Sequence, residues 1–201
     1  MLKTIKNEVK NEIEVEKSKF IAYLFPCNSL DEFNEKLELV KKEHLKARHH
    51  CYAYIINKDK RGNDDGEPKG SAGLPLLNGL EKKNLINIAV IVVRYFGGTL
   101  LGSGRLLRTY VTSLEEAFKL VILVELIEVY KRSVEISYDC FDIFQNYLKK
   151  LQYPIISKEF NDKINVSFLS PLDSEIDYQT IFLGKVKEIK KELYTDRKEI
   201  D

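Results

Sequence analysis

Apolar and polar residues alternate in several short stretches of the chain, and the period of alternation predicts the local structure. Charged and apolar residues alternate over 11–16, and a less regular alternation over 19–25 ends at Pro26. Successive side chains of a strand point to opposite faces, so these stretches predict two antiparallel strands joined by a turn near Lys17. A third strand is predicted over 51–57.

The longest apolar run of the first half lies over 85–93 and is rich in β-branched residues without alternation. Such a run predicts a strand that is buried on both faces. A glycine-rich loop, 94–103, follows directly, and a helix is predicted from about Gly104. Because glycines let the backbone approach a ligand closely, this loop is the first place to look for a binding site.

Helical spacing of apolar residues predicts two helices in the same half of the chain. Ser29 and Glu32 have the spacing of a capping box, which predicts a helix over 30–46. Apolar residues over 107–121 recur every three or four positions and predict one buried helix face. The polar, turn-rich stretch 58–70 predicts a loop without regular structure, followed by a short helical or irregular segment.

The last third of the chain predicts a second, smaller α+β domain with the order βαββα. Residues 121–129 are predicted to form a connecting strand, with the domain boundary close to Lys131. The predicted elements are a strand at 134–138, a helix at 142–151, a hairpin of 155–160 with 164–169, and a last helix from Asp173 or Ser174 to about Leu193. This order favours an antiparallel sheet that is covered on one side by two helices.

Composition limits the class of protein. With 201 residues and 44% hydrophobic residues, the chain can bury a core without disulfides or a structural metal. The formal charge of +1 does not indicate a nucleic-acid binder, so any basic patch must be local. Cys27, Cys51 and Cys140 form no C-x-x-C pair and suggest reduced thiols. A charged N-terminus and short apolar runs predict a cytoplasmic protein without a membrane partner.

Two arginines stand in the first turns of the helix predicted after the glycine-rich loop. Arg105 and Arg108 are unfavourable to a helix N-terminus, whose free amides and dipole attract anions. A bound phosphate or carboxylate, contacted also by Arg94, would explain them. Alternatively, the glycines only shape a tight turn and the arginines pair with the acidic loop that holds Asp64, Asp65 and Glu67. The loop is not a P-loop, because Ser103 and Gly104 replace the required Lys and Ser/Thr.

An acidic cluster lies within the polar stretch before the central strand. Asp64, Asp65 and Glu67 could hold a divalent cation or receive a basic partner. The spacing does not match a calcium-binding EF-hand loop, because Arg61 stands where a ligand oxygen is needed. The alternative interpretation is an ordinary Asp-Gly turn in which the carboxylates cap backbone amides.

Four sequence blocks, taken together, resemble the YigZ/IMPACT family. The blocks are SKFIA at 18–22, AxHxCxAY at 47–54, DDGEPxGSAGxP at 64–75 and VRYFGGxxLGxG at 93–104. They cover roughly residues 18–118, and the remainder is similar to the second domain of bacterial members. One departure is that Gly104 is followed by Arg105, where the family usually has a second glycine.

The resemblance implies an α+β protein with two domains. Residues 1–130 would form an N-terminal α/β domain of the ribosomal-protein type, with a left-handed βαβ unit. Residues 131–201 would form a ferredoxin-like domain resembling the last domains of elongation factor G. Carried over by position, the family's shared surface cluster comprises Asp64, Asp65, Glu67, Arg94, Tyr95, Gly97, Gly98 and Arg108, and His49 matches the histidine of its block.

The resemblance also implies a setting, because eukaryotic relatives regulate translation in the pathway of the amino-acid-starvation kinase. We therefore favour a non-catalytic, translation-associated module that contacts RNA, the ribosome or another anionic partner. The expected contacts are Arg94, Tyr95, Gly97, Gly98, Gly102, Gly104, Arg105 and Arg108. No cofactor and no DNA sequence specificity are expected.

Two other functional hypotheses stay open on the sequence alone. In the first, the protein is a metal-dependent hydrolase in which Asp64, Asp65 and Glu67 hold a divalent ion opposite the arginine loop. This hypothesis requires the two loops to meet in a cleft. In the second, the chain is an adaptor whose acidic loop and second domain bind other proteins. A lone histidine beside an apolar strand is more often packed than catalytic, so His49 is not expected to be a base.

Overall fold

A computed structural model describes residues 2–199, which form two compact units. The first unit contains residues 2–126 and 197–199, and the second contains residues 127–196. Each has its own hydrophobic core. None of the helices in 2–199 is long and apolar enough to cross a membrane.

The first unit contains the strands β1 (Leu2–Ile5), β2 (Val9–Val15), β3 (Ser18–Pro26), β4 (His49–Ile56), β5 (Asp59–Asn63) and β6 (Ile88–Tyr95). Five of them form a sheet in the order β2-β3-β6-β4-β5, in which all neighbouring strands are antiparallel. Its helices are α1 (Leu30–Glu43), α2 (Gly73–Lys82) and α3 (Ser103–Phe118). Outside this sheet, β1 pairs with residues 123–126 of β7 (Leu123–Ile136).

Strand β6 is the centre of the sheet, and the prediction that it is buried on both faces is confirmed. Every residue from Ile88 to Arg94 is buried. The strand begins three residues later than predicted, because Asn87 has a left-handed φ of +51° and interrupts the extended backbone. Asn87 accepts hydrogen bonds from Asn57 N and Cys27 N, which fixes it in this conformation.

The two faces of the sheet bury two separate cores. On one face, α1 packs Phe33, Leu37 and Val40 against β3, β4 and β6. Ser29 is the N-cap and its Oγ accepts from Glu32 N, as predicted, but the Glu32 carboxylate accepts from Asn28 N rather than from Ser29 N. The helix ends at Glu43 rather than Lys46. On the other face, α2 and α3 contribute the buried residues Leu76, Leu80, Leu106, Tyr110, Leu114 and Ala117.

Two details of the first unit differ from the sequence predictions. Part of the stretch 58–70 forms β5, which pairs with β4 across a turn at Asn57. This edge strand is held by backbone pairing and carries polar, mostly exposed side chains. Its sequence therefore lacks the alternation of apolar residues that would predict a strand. In α3 the buried face includes Leu106, Thr109 and Ser113, whereas Leu107, which was predicted to be buried, is exposed.

The second unit has the order strand, helix, strand, strand, helix, strand. Its elements are β7 from residue 127, α4 (Phe141–Lys150), β8 (Ile155–Phe160), β9 (Ile164–Ser170), α5 (Tyr178–Phe182) and β10 (Val186–Glu199), with a 3₁₀ turn at Tyr138–Cys140. The sheet order is β10-β7-β9-β8. Val134, Val166 and Phe168 pack against Phe144 and Leu148 of α4.

The hairpin and α4 follow the predictions, but the predicted last helix is wrong. Leu183 and Gly184 adopt left-handed φ values of +51° and +75°, which end α5 after five residues. The following residues form β10. Val186, Ile189 and Leu193 have helical spacing although they lie in this strand. The strands predicted at 121–129 and 134–138 are one strand, β7.

Candidate functional site

The acidic loop, which holds Asp64, Asp65 and Glu67, and the glycine-rich loop of residues 94–103 meet at one end of the first sheet. His49, at the start of β4, is in register with Arg94, near the end of β6. Arg94 Nη1 donates to both carboxylate oxygens of Glu67, at 2.7 Å and 3.0 Å. The two side chains are only 7% and 3% exposed. This is a buried ion pair, so Arg94 does not offer a free charge to a phosphate.

Glu67 is also held from the helix side of the sheet. The hydroxyl of Tyr110, on α3, donates to Glu67 Oε1 at 2.8 Å. Cys51 Sγ lies 3.3 Å from that hydroxyl oxygen and 2.9 Å from the carbonyl oxygen of Asp64. Burial raises the pKa of both the Tyr110 hydroxyl and the Cys51 thiol, so both stay protonated and act as donors.

Asp64 caps the N-terminus of α2. Its Oδ1 accepts from Ala72 N and Gly73 N at 2.9 Å and 2.8 Å, and its Oδ2 accepts from Gly70 N at 2.8 Å. Burial by itself raises the pKa of Asp64, but the three backbone N–H groups outweigh it and lower that pKa. The interpretation of this residue as a backbone cap therefore agrees with its geometry.

Asp65 fixes the two histidines at the start of β4. Its Oδ2 accepts from the backbone N–H of His50 at 2.6 Å, and its carbonyl oxygen lies 2.8 Å from His49 Nδ1. Since a carbonyl oxygen can only accept, His49 Nδ1 donates, and Nε2 of the neutral ring is left as an acceptor. His49 also packs on Gly66, where a Cβ would lie 3.5 Å from Nδ1.

The three carboxylates therefore do not converge on a common point. Asp64 binds backbone amides, Asp65 orders β4, and Glu67 pairs with Arg94. Within residues 2–199, no group of three or more His, Cys, Asp or Glu side chains is placed to hold a metal ion. This arrangement weighs against the acidic loop as a metal centre.

A cleft of about 490 Å³ opens where the two loops meet. The start of β4, the acidic loop, the end of β6, the glycine-rich loop and the first turn of α3 contribute to its walls. The lining residues are Arg48, His49, Gly66, Glu67, Pro68, Arg94, Phe96, Leu100, Leu101, Gly102, Ser103 and Leu106. A volume in this range suits a small ligand or the end of a chain.

The glycines of the loop have different structural roles. Gly97 donates to Ser18 Oγ at 3.1 Å and lies against the backbone of Lys17, so no Cβ fits there. Gly98 and Gly102 adopt φ values of +92° and +72°, which favour glycine. Gly102 is the N-cap of α3 and supplies no side-chain cap, so the first amides of the helix are left for another acceptor.

The remaining predicted residues lie around this cleft or away from it. Arg105 and Arg108 are exposed on α3, and Arg105 pairs with the half-exposed Glu16. Gly104 lies in the first turn of α3. Tyr95 is not part of the cleft, because its hydroxyl lies 2.9 Å from Nδ1 of His44 on the α1 face.

Sequence reasoning missed three residues that shape the site. Arg48 lines the cleft, and its guanidinium lies 5.9 Å from the ring centroid of Phe96. It occupies a variable position of the second sequence block, so the block gave no signal for it. Tyr110 was predicted to lie on the apolar face of its helix, and Cys51 was interpreted only as a reduced thiol. A hydroxyl on an otherwise apolar helix face was the one available indication of a buried polar partner.

Comparison with known proteins assigns the chain to a family. A model of the Impact N-terminal domain matches residues 16–118, which include both loops. The IMPACT family member YvyE of Bacillus subtilis is 36% identical over 170 residues, or 82% of this chain and 76% of YvyE. YigZ of Escherichia coli is 38% identical over 111 residues, or 53% of this chain and 54% of YigZ. The chain belongs to the IMPACT family.

A solved structure also shares the fold. The crystal structure of a hypothetical protein aligns with a TM-score of 0.65 and 24% sequence identity. The alignment covers 93% of this chain and 95% of that chain. The likeness therefore extends over both units and concerns the fold alone.

Proposed function

We propose that the protein is a non-catalytic, translation-associated regulatory module that binds an anionic partner through the N-terminal end of α3. The observation that carries this proposal is a difference in exposure between the acidic and basic side chains of the site. The carboxylates of Asp64 and Glu67 are engaged internally, whereas Arg105 and Arg108 are exposed beside the uncapped helix N-terminus. The surface next to the cleft therefore favours an anion.

The ion pair of Arg105 with Glu16 does not oppose this role. Both side chains are partly exposed, at 51% and 34%, and exposed ion pairs contribute only about 0–1 kcal/mol. A phosphate can replace Glu16 at little cost. Arg94, in contrast, is structural in this proposal, because leaving the ion pair would strand the buried carboxylate of Glu67.

The translation setting of the proposal comes from the family, whose eukaryotic members the sequence resemblance associates with translation. RNA phosphates are the anions we favour. We further propose that the second unit is a ferredoxin-like domain resembling the last domains of elongation factor G. Its element order and its sheet order β10-β7-β9-β8 support this assignment. We propose the ribosomal-protein type for the first unit, with a domain boundary near residues 130 and 131.

The proposal is tested by cosedimentation with ribosomes at about 50 mM and about 200 mM salt, the range in which phosphate contacts are salt-sensitive. Arg108→Ala is expected to weaken binding several-fold and to lower the slope of log affinity against log salt by about 1, since it removes one phosphate contact. Lys119→Ala is the matched control. It removes one exposed positive charge from the other end of α3.

Binding that is equal in wild type and Arg108→Ala would refute the contact at the N-terminal end of α3. Absence of wild-type binding at both salt concentrations would refute the ribosome as partner. Loss of binding in Lys119→Ala as well would show that general positive charge, rather than this end of the helix, is what the partner recognises.

A further inference from the structure

The cleft has an apolar wall that a phosphate contact on α3 does not use. Pro68, Leu101 and Leu106 line it, and Phe96 and Leu100 continue the same apolar surface outward. Phe96 is 41% exposed and Leu100 is 85% exposed. Exposing large apolar side chains together at the mouth of a cleft is costly in water, and it marks a surface that another molecule covers.

The charge of the cleft lining suits a single negative charge. Its ionised side chains are Arg48, Arg94 and Glu67, which leave a formal charge of +1 when His49 is neutral. Since Arg94 and Glu67 neutralise one another at short range, Arg48 is the exposed cation of the cleft. A monoanion matches this charge, whereas a dianion would exceed it.

Two independent features give the cleft unused hydrogen-bond donors. The N-terminus of the 16-residue helix α3 opens on it at Gly102 and Ser103, without a side-chain cap. Arg94, whose side chain is 7% exposed, also lines the cleft, and its Nε has no hydrogen-bond partner within residues 2–199. An unpaired buried guanidinium nitrogen is costly, so the wall of the cleft contains a donor that lacks an acceptor within residues 2–199.

We propose that this cleft binds the C-terminus of a partner polypeptide that ends in an apolar residue. The terminal carboxylate, a monoanion, lies at the N-terminus of α3 near Arg48, and the last side chain contacts Leu101 and Leu106. Backbone amides at a helix N-terminus are a known means of holding a carboxylate. The apolar surface continues over Phe96 and Leu100, so the occupant extends out of the cleft, as a chain does and a small free acid does not.

This inference goes beyond the proposed function, because it concerns the apolar cleft and a chain end rather than the exposed arginines, although both use the N-terminus of α3. Its test is fluorescence anisotropy with a labelled hexapeptide that ends in Leu, compared with the same peptide amidated at its C-terminus. The free acid is expected to bind about tenfold more tightly than the amide. A partly buried helix N-terminus stabilises a bound anion by about this factor in affinity. Equal binding of acid and amide, or binding of neither, would overturn the proposal.

A pair of variants locates the binding. Leu100→Asp places a negative charge at the cleft mouth and is expected to weaken binding of the free acid at least tenfold. Because Leu100 is 85% exposed, the variant should melt at the wild-type temperature. Leu39→Asp is the control, since Leu39 is an exposed leucine on α1, which packs on the opposite face of the sheet. Unchanged binding in Leu100→Asp would place the peptide elsewhere and overturn the proposal.

A labelled single-stranded RNA measured in parallel separates this proposal from the preceding one. Loss of RNA binding in Leu100→Asp, with no binding of the peptide acid to wild type, would assign the cleft to nucleic acid and overturn the peptide proposal. Loss of ribosome binding in Arg108→Ala does not depend on the peptide measurements, so either proposal can fail alone.

Discussion

Glu67 shows how much of the site's chemistry is used internally. Its carboxylate accepts two contacts from Arg94 and one from Tyr110, and it is almost fully buried. A buried ion pair of this kind need not add net stability, but removing one partner leaves an uncompensated charge. The pair therefore fixes the relative position of the acidic loop and β6, which are the two sides of the cleft.

We predict that Glu67→Gln lowers the free energy of unfolding by about 3 kcal/mol, because Arg94 then remains charged and buried without a counterion. Urea unfolding followed by circular dichroism measures the change. Tyr110→Phe is the matched control, since it removes one hydrogen bond to the same carboxylate and should cost about 1 kcal/mol. A Glu67→Gln variant as stable as wild type would contradict the buried ion pair.

A second residue-scale prediction concerns pH. The folded-state pKa of Asp64 lies below its ordinary value of 3.8, so the stability that its carboxylate contributes is fully present above that pH. It is lost as the pH falls through the folded-state pKa. Asp64→Asn is expected to cost about 1 kcal/mol at pH 7, as for loss of a helix cap. The difference from wild type should shrink below pH 4 in urea titrations. A difference that is constant between pH 7 and pH 3 would contradict this account.

At the scale of single residues, the sequence identified the charged side chains of the site but not which of them pair with one another. The carboxylates and arginines of the site could be identified because charged side chains in a turn-rich or glycine-rich loop are conspicuous. Pairing of the arginines with the acidic loop was one of two alternatives, and the ion pair of Arg94 with Glu67 agrees with it. The sequence could not single out these two residues, since they are 27 positions apart and meet only in the folded chain. For the same reason the sequence could not show that Arg94 is buried while Arg108 is exposed.

At the scale of elements, the loop between β6 and α3 rests on the turn between β2 and β3. Glu16 and Lys17 in that turn adopt φ values of +49° and +63°, which are unusual for residues other than glycine. Gly97 packs on this turn, with the position of a Cβ only 2.1 Å from the carbonyl carbon of Lys17. The strained turn and the loop therefore hold one another in place.

We predict opposite effects of two glycine substitutions in neighbouring segments. Gly97→Ala must push the loop away from the backbone of Lys17 and Ser18, and should destabilise the protein by at least about 1 kcal/mol. Gly104→Ala should stabilise it by roughly 0.5–1 kcal/mol, because a Cβ there meets only Arg108 Nη1 at 3.9 Å within a helix. Thermal unfolding measures both. Destabilisation by both substitutions alike would refute the distinction between packing and helix propensity.

The sequence predicted best those elements that bury one face, because their apolar residues then recur at a regular spacing. Helix α1 buries helically spaced apolar residues and strand β9 buries alternate ones, so the patterns of both predicted the observed structure. The residues of strand β10 gave no such pattern, because only Val186 of its helically spaced apolar residues is buried, while Ile189 and Leu193 are 56% and 60% exposed. Their spacing therefore reflected no packed face.

At the scale of the whole molecule, composition was enough to predict that the chain buries hydrophobic cores, and both units do. The formal charge of +1 could not reveal the site, because the cationic surface near α3 is balanced by acidic residues elsewhere in the chain. Family membership, carried by the blocks of residues 16–118, supplied what charge could not. The second unit lies outside that match, so the family model carries no information about its function.

The three cysteines have a practical consequence. One lies in each hydrophobic core: Cys27 on the α1 face of the first sheet, Cys51 beneath α2 and α3, and Cys140 in the second unit. Burial raises the pKa of each thiol, that of Cys27 to about 11, so alkylating reagents must wait for the surrounding layer to open. The chain thus carries three built-in chemical reporters, and mass spectrometry of time-resolved labelling would rank the opening rates of its three layers without any introduced probe.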